Sequence, residues 1–306
     1  MRLTLRQLQI FTAVAETGST TAAGLRVSLS QSATSGALIE LEGVLGTELF
    51  DRIGKRLVLN DSGLALLPQA RSMLHAARDI ETQFDPSAGD SGAAVRLRVG
   101  ASTTIGNYIL PGLIAQHLQA SPDSAIDVFI DNTQEVAASV ARLEVDMGLI
   151  EGPCHERELS VVPWLEDELV IVSAPDNALA LGKGEPRVPV KALQEARWLQ
   201  REPGSGTRET VDHLLLPHLL SLRADMQIGS TEAIKQAVAQ GLGLACLSLC
   251  AVEDLVTLGR LVVLNTTLPR LTRRLYLIHH RQKCFSHHLR RFVERCQSPS
   301  SLIRTP

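Results

Sequence analysis

The sequence predicts a multidomain chain, in which an all-α N-terminal unit with a small β-wing precedes a two-lobed α/β domain. Three observations predict it. Apolar residues recur at helical spacing up to about Phe84. A polar, turn-prone stretch, Asp85-Pro86-Ser87-Ala88-Gly89-Asp90-Ser91-Gly92, then interrupts that period. From Val95 onward, strand-like and helix-like segments alternate. A chain of 306 residues is long for one domain, and 44% apolar content is enough for separate cores.

In the first unit, Leu5, Leu8, Phe11 and Val14 mark an amphipathic helix that Gly18-Ser19 ends. Thr21, Ala22, Ala23 and Leu25 suit a short second helix with small residues on its packed face, interrupted by Val27-Ser28-Leu29-Ser30. Ser30 is placed to cap a third helix by accepting from a free backbone N–H. Ala33, Ala37, Leu38 and Leu41 give that helix an apolar face, while Gln31, Ser32, Ser35 and Gly36 fall on the other. Gly46 can stop it, and Leu49 and Phe50 return apolar bulk to the core. Two β-like runs around Gly54 then form a wing with Arg52, Lys55 and Arg56 at its tip.

Helical spacing alone fits an ordinary bundle hairpin as well. The preceding helix and the wing favour a winged helix-turn-helix whose third helix enters double-stranded DNA. Gln pairs bidentately with adenine, and Ser donates or accepts at either base. Gln31, Ser32 and Ser35 are the expected base readers, and Ser30 at the helix start is also expected to bind DNA. Arg6 and Thr21 are expected on phosphates, and Arg52, Lys55 and Arg56 on phosphate or the minor groove.

Net charge is −3, so no global basic field holds nucleic acid. The first sixty residues carry Arg2, Arg6, Arg26, Arg52, Lys55 and Arg56 against Glu16, Glu40, Glu42, Glu48 and Asp51. Affinity must come from placing a few cations well and from more than one copy of the head. A homodimer or homotetramer is therefore expected. No apolar run reaches membrane-spanning length, and the N-terminus lacks a signal peptide's continuous apolar core. Cys154, Cys246, Cys250, Cys284 and Cys296 form no CxxC pair. These features fit a cytoplasmic protein with reduced thiols.

Residues 1–60 are read as the head, 61–85 as a linker helix, 86–94 as a hinge and 95–306 as the α/β domain. Leu64, Leu67, Ala70, Leu74, Ala77, Ile80 and Phe84 run at nearly heptad spacing along the linker. Such a helix needs a partner for its stripe, either a second copy or the rest of the chain. In the α/β domain, strands are expected at Val95–Val99, Ala125–Ile130, Met147–Ile150, Leu159–Trp164 and Leu169–Ser173. Helices are expected at Tyr108–Leu118 and Gln134–Leu143. Lobe I spans about 95–163 and 270–306, and lobe II about 164–269. A cleft between such lobes is a usual place for a small ligand.

These residues resemble the LysR-type transcriptional regulators. The resemblance rests on Leu5-Arg6-Gln7-Leu8 with Phe11, Gly18-Ser19, Ala22-Ala23, Ser30-Gln31-Ser32-Ala33-x-Ser35, Leu41-Glu42, Leu45-Gly46, Leu49-Phe50-x-Arg52 and Asn60-x-x-Gly63. It covers nearly the whole chain. Within the family the chain most resembles the YeiE-like members, through Ser102-Thr103-Thr104-Ile105-Gly106-Asn107-Tyr108-Ile109-Leu110-Pro111, Ile150-Glu151-Gly152-Pro153-Cys154-His155 and Gly204-Ser205-Gly206-Thr207-Arg208-Glu209. Gly36 departs from the family, which often has a long polar residue there, so one usual DNA contact is missing. Asn60 replaces a common threonine. The resemblance implies an antiparallel linker-helix dimer, a habit of tetramers, and an effector domain similar to periplasmic binding proteins. RNA polymerase is a further candidate partner.

The candidate effector site comprises hydroxyl-rich helix starts after strands: Ser102, Thr103 and Thr104; Asn132 and Thr133; Gly204, Ser205, Gly206 and Thr207; and Ser230 and Thr231. Free N–H groups and the positive dipole end at several helix starts would hold a small anion, such as a carboxylate or a sulfur oxyanion, without a buried lysine. The alternative is that each is a plain N-cap. Glu151 faces the same cleft, where it repels anions, bonds a protonated effector, or joins the lobes.

Other signals are discounted. The Gly204–Glu209 run lacks a dinucleotide fingerprint's third glycine. Cys246 and Cys250 read as buried thiols rather than a redox switch. His279-His280 and His287-His288 lack a Cys or acid cluster, so no metal is expected. Arg273, Arg274, Arg281, Lys283, Arg290 and Arg291 read as a solvated face. No nucleophile has a paired base, so neither catalysis nor a cofactor is expected. The favoured function is a DNA-binding transcription regulator under a small effector. The rival is an enzyme or solute-binding protein that uses its N-terminal bundle only to dimerise.

Overall fold

The computed structural model describes residues 3–54, 56–84, 95–122, 124–180, 187–222 and 224–298. Lys55 of the wing and the expected hinge at 86–94 lie outside the described residues. The chain divides into two units, Met1–Val95 and Arg96–Pro306.

In the first unit, Thr4 and Gln7 exchange the two hydrogen bonds of a capping box at the start of α1, Leu5–Thr17. Ser19 caps α2, Thr20–Arg26, and Ser30 caps α3, Gln31–Leu45. Gly18 and Gly46 end α1 and α3 in the left-handed conformation, at φ 65° and 72°. Leu8, Phe11, Val14, Ala23, Leu38, Leu41, Leu49 and Phe50 form the core. Several expected core positions differ. Leu5 is 44% exposed, Leu25 82% exposed and Ala22 exposed, while Ile10 and Gly24 are buried. The reason lies in how closely α2 meets the turn: a Cβ on Gly24 would stand 2.7 Å from the Leu29 carbonyl, leaving no room for a leucine on that face. Ala33 is exposed and Thr34 buried in its stead, its hydroxyl satisfied by the Ser30 carbonyl at 2.9 Å.

The wing is an antiparallel ribbon of β1, Phe50–Ile53, and β2, Arg56–Leu59. Asn60 starts α4, Asp61–Phe84, by accepting from the Gly63 N–H at 2.9 Å and donating to the Glu48 carbonyl at 2.9 Å. The stripe of α4 is divided. Ala70 is buried in the head core with Leu66, Leu67 and Leu74 against it, whereas Leu64 and Ile80 are 57% and 59% exposed.

The second unit opens with β3, Val95–Ser102, which leads through a π-helical turn at Ile105–Ile109 into α5, Leu110–Ala120. Next come β4 (Ser124–Asp131), α6 (Thr133–Ala141) and β5 (Met147–Glu151). The strand β6, Leu159–Ser173, is followed by α7 (Val190–Glu195), β7 (Trp198–Gln200), α8 (Gly206–Leu219), β8 (Ala224–Gln227) and α9 (Thr231–Ala239). The rest is β9 (Ala245–Ser248), α10 (Leu249–Thr257), β10 (Val262–Val263), β11 (Leu271–His280) and α11 (His287–Gln297).

A seven-stranded sheet runs β10-β6-β11-β5-β3-β4, with β9 also paired to β6. The β3–β5 pair is parallel, and β11 is antiparallel to both β5 and β6. The sequence predicts two strands between Leu159 and Ser173, but β6 is a single strand of 15 residues. Its partner β11 explains the continuity. It pairs with β6 from Leu271↔Leu169 to His280↔Leu159, and a register shift between Arg274 and Tyr276 accommodates Pro163, which has no N–H to give. Both strands therefore run from one lobe to the other.

Candidate functional site

In the head, Gln31 and Ser32 are exposed at the start of α3, and Ser35 is half-buried one turn on. The Gln31 amide donates to Thr20 Oγ1 at 3.3 Å, and Ser30 Oγ lies 3.0 Å from Ser32 Oγ. Ser30 Oγ also accepts from the Ala33 N–H at 3.2 Å. Thr21, Arg52 and Arg56 are exposed. Arg6 is exposed too, and its guanidinium donates to the Val27 carbonyl and to Gln9 Oε1, both at 2.7 Å. It thereby satisfies a carbonyl at the end of α2. Thr20, which positions Gln31, carries no signal in the sequence that singles it out.

In the second unit, the expected helix starts converge on the seam between the lobes. Several are caps: Asn132 Oδ1 accepts from Glu135 N at 3.0 Å, Ser205 Oγ from Arg208 N at 3.4 Å and Ser230 Oγ from Ala233 N at 3.3 Å. Others make longer-range bonds. Gln134 N donates across the lobes to the Gly204 carbonyl at 3.1 Å, and within lobe I Thr133 Oγ1 donates to the Glu151 carbonyl at 2.8 Å. Ser102 Oγ is buried with no hydrogen-bond partner among the described residues.

Glu151 is the lobe-joining contact among its three expected roles. It is 2% exposed and receives the Thr104 N–H at 2.8 Å, the Thr104 hydroxyl at 3.0 Å, the Thr207 hydroxyl, and Arg273 Nη1 at 2.6 Å. Both carboxylate oxygens are thus occupied by protein donors. Burial pushes its pKa up, but the Arg273 charge and these donors outweigh burial and hold it below the usual carboxylate range. Gly206 makes the junction possible: an added Cβ would lie 1.6 Å from the Glu151 carbonyl oxygen.

Arg273 is not on a solvated face. It is 5% exposed and also holds Asp167 through Nε at 2.7 Å, with Ser248 donating to the same carboxylate at 2.7 Å. Its position on β11 explains this, since it falls in inward phase with Leu271 and Leu275. Lys283 is also enclosed, paired to Asp146 at 2.9 Å with its side chain 8% exposed. Arg274, Arg281, Arg290 and Arg291 are exposed.

Two further buried cations, Arg201 and Lys235, stand at the seam, where the sequence predicts none. The Arg201 side chain is 3% exposed; Nη1 donates to Thr231 Oγ1 at 2.9 Å and Nη2 to Thr103 Oγ1 at 3.3 Å. Nε and Nη2 each hold a Glu202 oxygen at 2.8 Å. Lys235, 1% exposed, donates to Tyr108 Oη at 3.1 Å and pairs with Asp254 at 3.0 Å and Glu232 at 3.3 Å. No spacing rule marks Arg201, which directly follows β7. Lys235 lies on α9 one residue after the buried Ile234, which masks it as an ordinary surface lysine.

Burial pushes the Cys246 and Cys296 thiols up to about 12, so they are poor thiolates. No group of three or more His, Cys, Asp and Glu side chains among the described residues is arranged to hold a metal. No helix among them is long and apolar enough to cross a membrane.

Comparison with known proteins agrees with this organisation. Residues 5–64 match the model of the bacterial regulatory helix-turn-helix protein, lysR family, and residues 90–299 that of the LysR substrate binding domain. The chain is 49% identical to the HTH-type transcriptional regulator YeiE of Escherichia coli (strain K12), over 99% of this chain and 100% of that protein. It is similar in structure to a full-length OxyR variant from Pseudomonas aeruginosa, with a TM-score of 0.75 at 23% identity, covering 99% of this chain and 95% of that one. The regulatory domain of Synechocystis PCC6803 CcmR in complex with 2-PG matches 66% of this chain and 95% of its own, at 29% identity and a TM-score of 0.60.

Proposed function

Because this chain belongs to the LysR family of DNA-binding transcription regulators with an effector-binding domain, we infer that its effector is a small anion bound at the seam between the two lobes. The families and relatives it matches are regulators rather than enzymes. The observation that carries the inference is Arg201. A guanidinium buried at that seam, with Thr103 of one lobe and Thr231 of the other on it, is a preformed anchor for carboxylate or oxyanion. The unpartnered Ser102 hydroxyl supplies a donor on the strand that ends there. The solved CcmR regulatory domain holds a small molecule, 2-PG, on the same fold.

The head reads DNA through α3. Gln31, Ser32 and Ser35 contact base edges, and Arg52, Lys55 and Arg56 of the wing hold phosphate or the minor groove. The exposure of Gln31 and Ser32 at the helix start supports this. The exposed Leu64, Met73 and Ile80 of α4 support pairing with a second copy. Thermal melting of the full chain against a panel of small carboxylates and sulfur and phosphorus oxyanions tests the effector. A saturable rise in Tm is expected for at least one anion, and it should vanish in Arg201→Met. A flat response to the whole panel overturns the inference.

A further inference from the structure

The Arg201 anchor is already engaged by a carboxylate of the same chain. Glu202 receives Nε and Nη2 in a two-pronged grip, each at 2.8 Å, which is the geometry an external carboxylate would adopt. The Asn132 side chain, from the other lobe, hydrogen-bonds the same carboxylate. The Glu202 side chain is 21% exposed and that of Arg201 3%, so the carboxylate is the more solvent-accessible member of the pair. The remaining contacts of the guanidinium are to Thr231 and Thr103. We propose that Glu202 is a built-in competitor and a specificity determinant: its carboxylate holds the donors that an anionic effector must take, and so selects for effectors of higher charge than its own. The proposal rests on the effector site inferred above.

The selection follows from mass action. A tethered carboxylate acts at an effective concentration on the order of millimolar or more. A monocarboxylate offers Arg201 no more than Glu202 does, and must outcompete it from solution. It must also approach a fixed negative charge. A compact dianion, such as a dicarboxylate or a doubly charged oxyanion, gains more from Arg201 and from the donors around it than Glu202 gives up. Burial raises the Glu202 pKa, but the Arg201 bonds more than offset this and keep it ionised. The competitor is therefore charged at neutral pH.

Isothermal titration of the full chain with sulfate, malonate and acetate tests this, using wild type, Glu202→Gln and Glu253→Gln. The last removes an equal charge from an exposed position on α10. Wild type should bind malonate or sulfate more tightly than acetate. Glu202→Gln should lower Kd by about tenfold or more, and most for acetate, narrowing the preference. Glu253→Gln should match wild type. If Glu202→Gln does not fold, Glu202→Ala serves, since it removes the carboxylate altogether, and the same direction is expected. Wild-type binding with unchanged or weaker binding by the Glu202 variant overturns the competitor while leaving the site intact. An equal gain in Glu253→Gln overturns it too, as a general charge effect. No binding of any anion by wild type and variant alike overturns both the competitor and the site beneath it.

Discussion

Arg273 Nη1 meets Glu151 Oε2 at 2.6 Å, with the two side chains 1% and 2% exposed. Arg273 comes from β11 and Glu151 from the end of β5, and the hydroxyls of Thr104 and Thr207 close on the same carboxylate from either lobe. This cluster crosses from lobe to lobe beneath the seam, through Thr207 on Glu151 and Asp167 on Arg273. Removing one member strands the other charge in a dry interior. Arg273→Ala should therefore cost about 3–5 kcal/mol. Urea unfolding of the full chain should show the loss in the transition of the α/β unit. A change below about 1 kcal/mol would contradict the buried pairing.

Acid should loosen the same cluster. The Glu151 pKa is held below its unfolded value of about 4.3, so its contribution to stability is complete above that value. It is lost as pH falls through the lowered folded pKa, when the carboxylate must take up a proton. Melting curves from pH 7 to pH 3 should show wild type losing more stability than Glu151→Gln, which has no proton to gain. Parallel curves for the two proteins would place the acid sensitivity elsewhere.

Gly206→Ala should separate the lobes locally. The new Cβ would fall 1.6 Å from the Glu151 carbonyl oxygen and 2.5 Å from Thr133 Oγ1, so the backbone must retreat. A destabilisation of about 1–3 kcal/mol is expected, as for other overpacked sites. Gly112→Ala has open space at its Cβ on α5 and serves as the comparison, in which no loss of stability is expected.

On DNA, Gln31→Ala should cost about 1–3 kcal/mol in specific binding and relax the preference at one base. Arg56→Ala should weaken all sequences alike and reduce the salt slope by about one. Gel shifts across a salt series distinguish the two effects. Unchanged affinity and selectivity in Gln31→Ala would remove α3 from the reading role.

Thiol chemistry should divide the cysteines by burial. Cys284 is exposed, so an alkylating reagent should modify it in the native protein. Cys246 and Cys296 are buried, with pKa values pushed to about 12, and should react only after denaturation. Peptide mass mapping before and after urea reads this directly.

The head was largely legible because its determinants are local. Ser30, Gly18 and Gly46 act within a turn of their own position, and sequence shows such caps directly. Leu25 misled because its exposure depends on how near α2 comes to Leu29, a distance that only packing sets. The hydroxyl-rich helix starts were visible, but their division of labour was not. Ser205 and Ser230 serve their own helices, whereas Thr104 and Thr207 serve Glu151, 47 and 56 residues away. Arg273 could have been found from its phase with Leu271 and Leu275. Charge encouraged the opposite reading, because a lone arginine rarely enters a core unless distant carboxylates meet it there.

The antiparallel pairing of β6 with β11 has a mechanical consequence. The lobes are joined by a hydrogen-bonded ribbon rather than by two loose strings, and its ladder continues past the crossing on both sides. A ribbon resists bending within its own plane and yields in torsion. The irregularity between Arg274 and Tyr276, one step from Arg273, interrupts its ladder locally. A swivel of one lobe against the other about that irregularity would draw Arg273, one residue away, off Glu151 and Asp167.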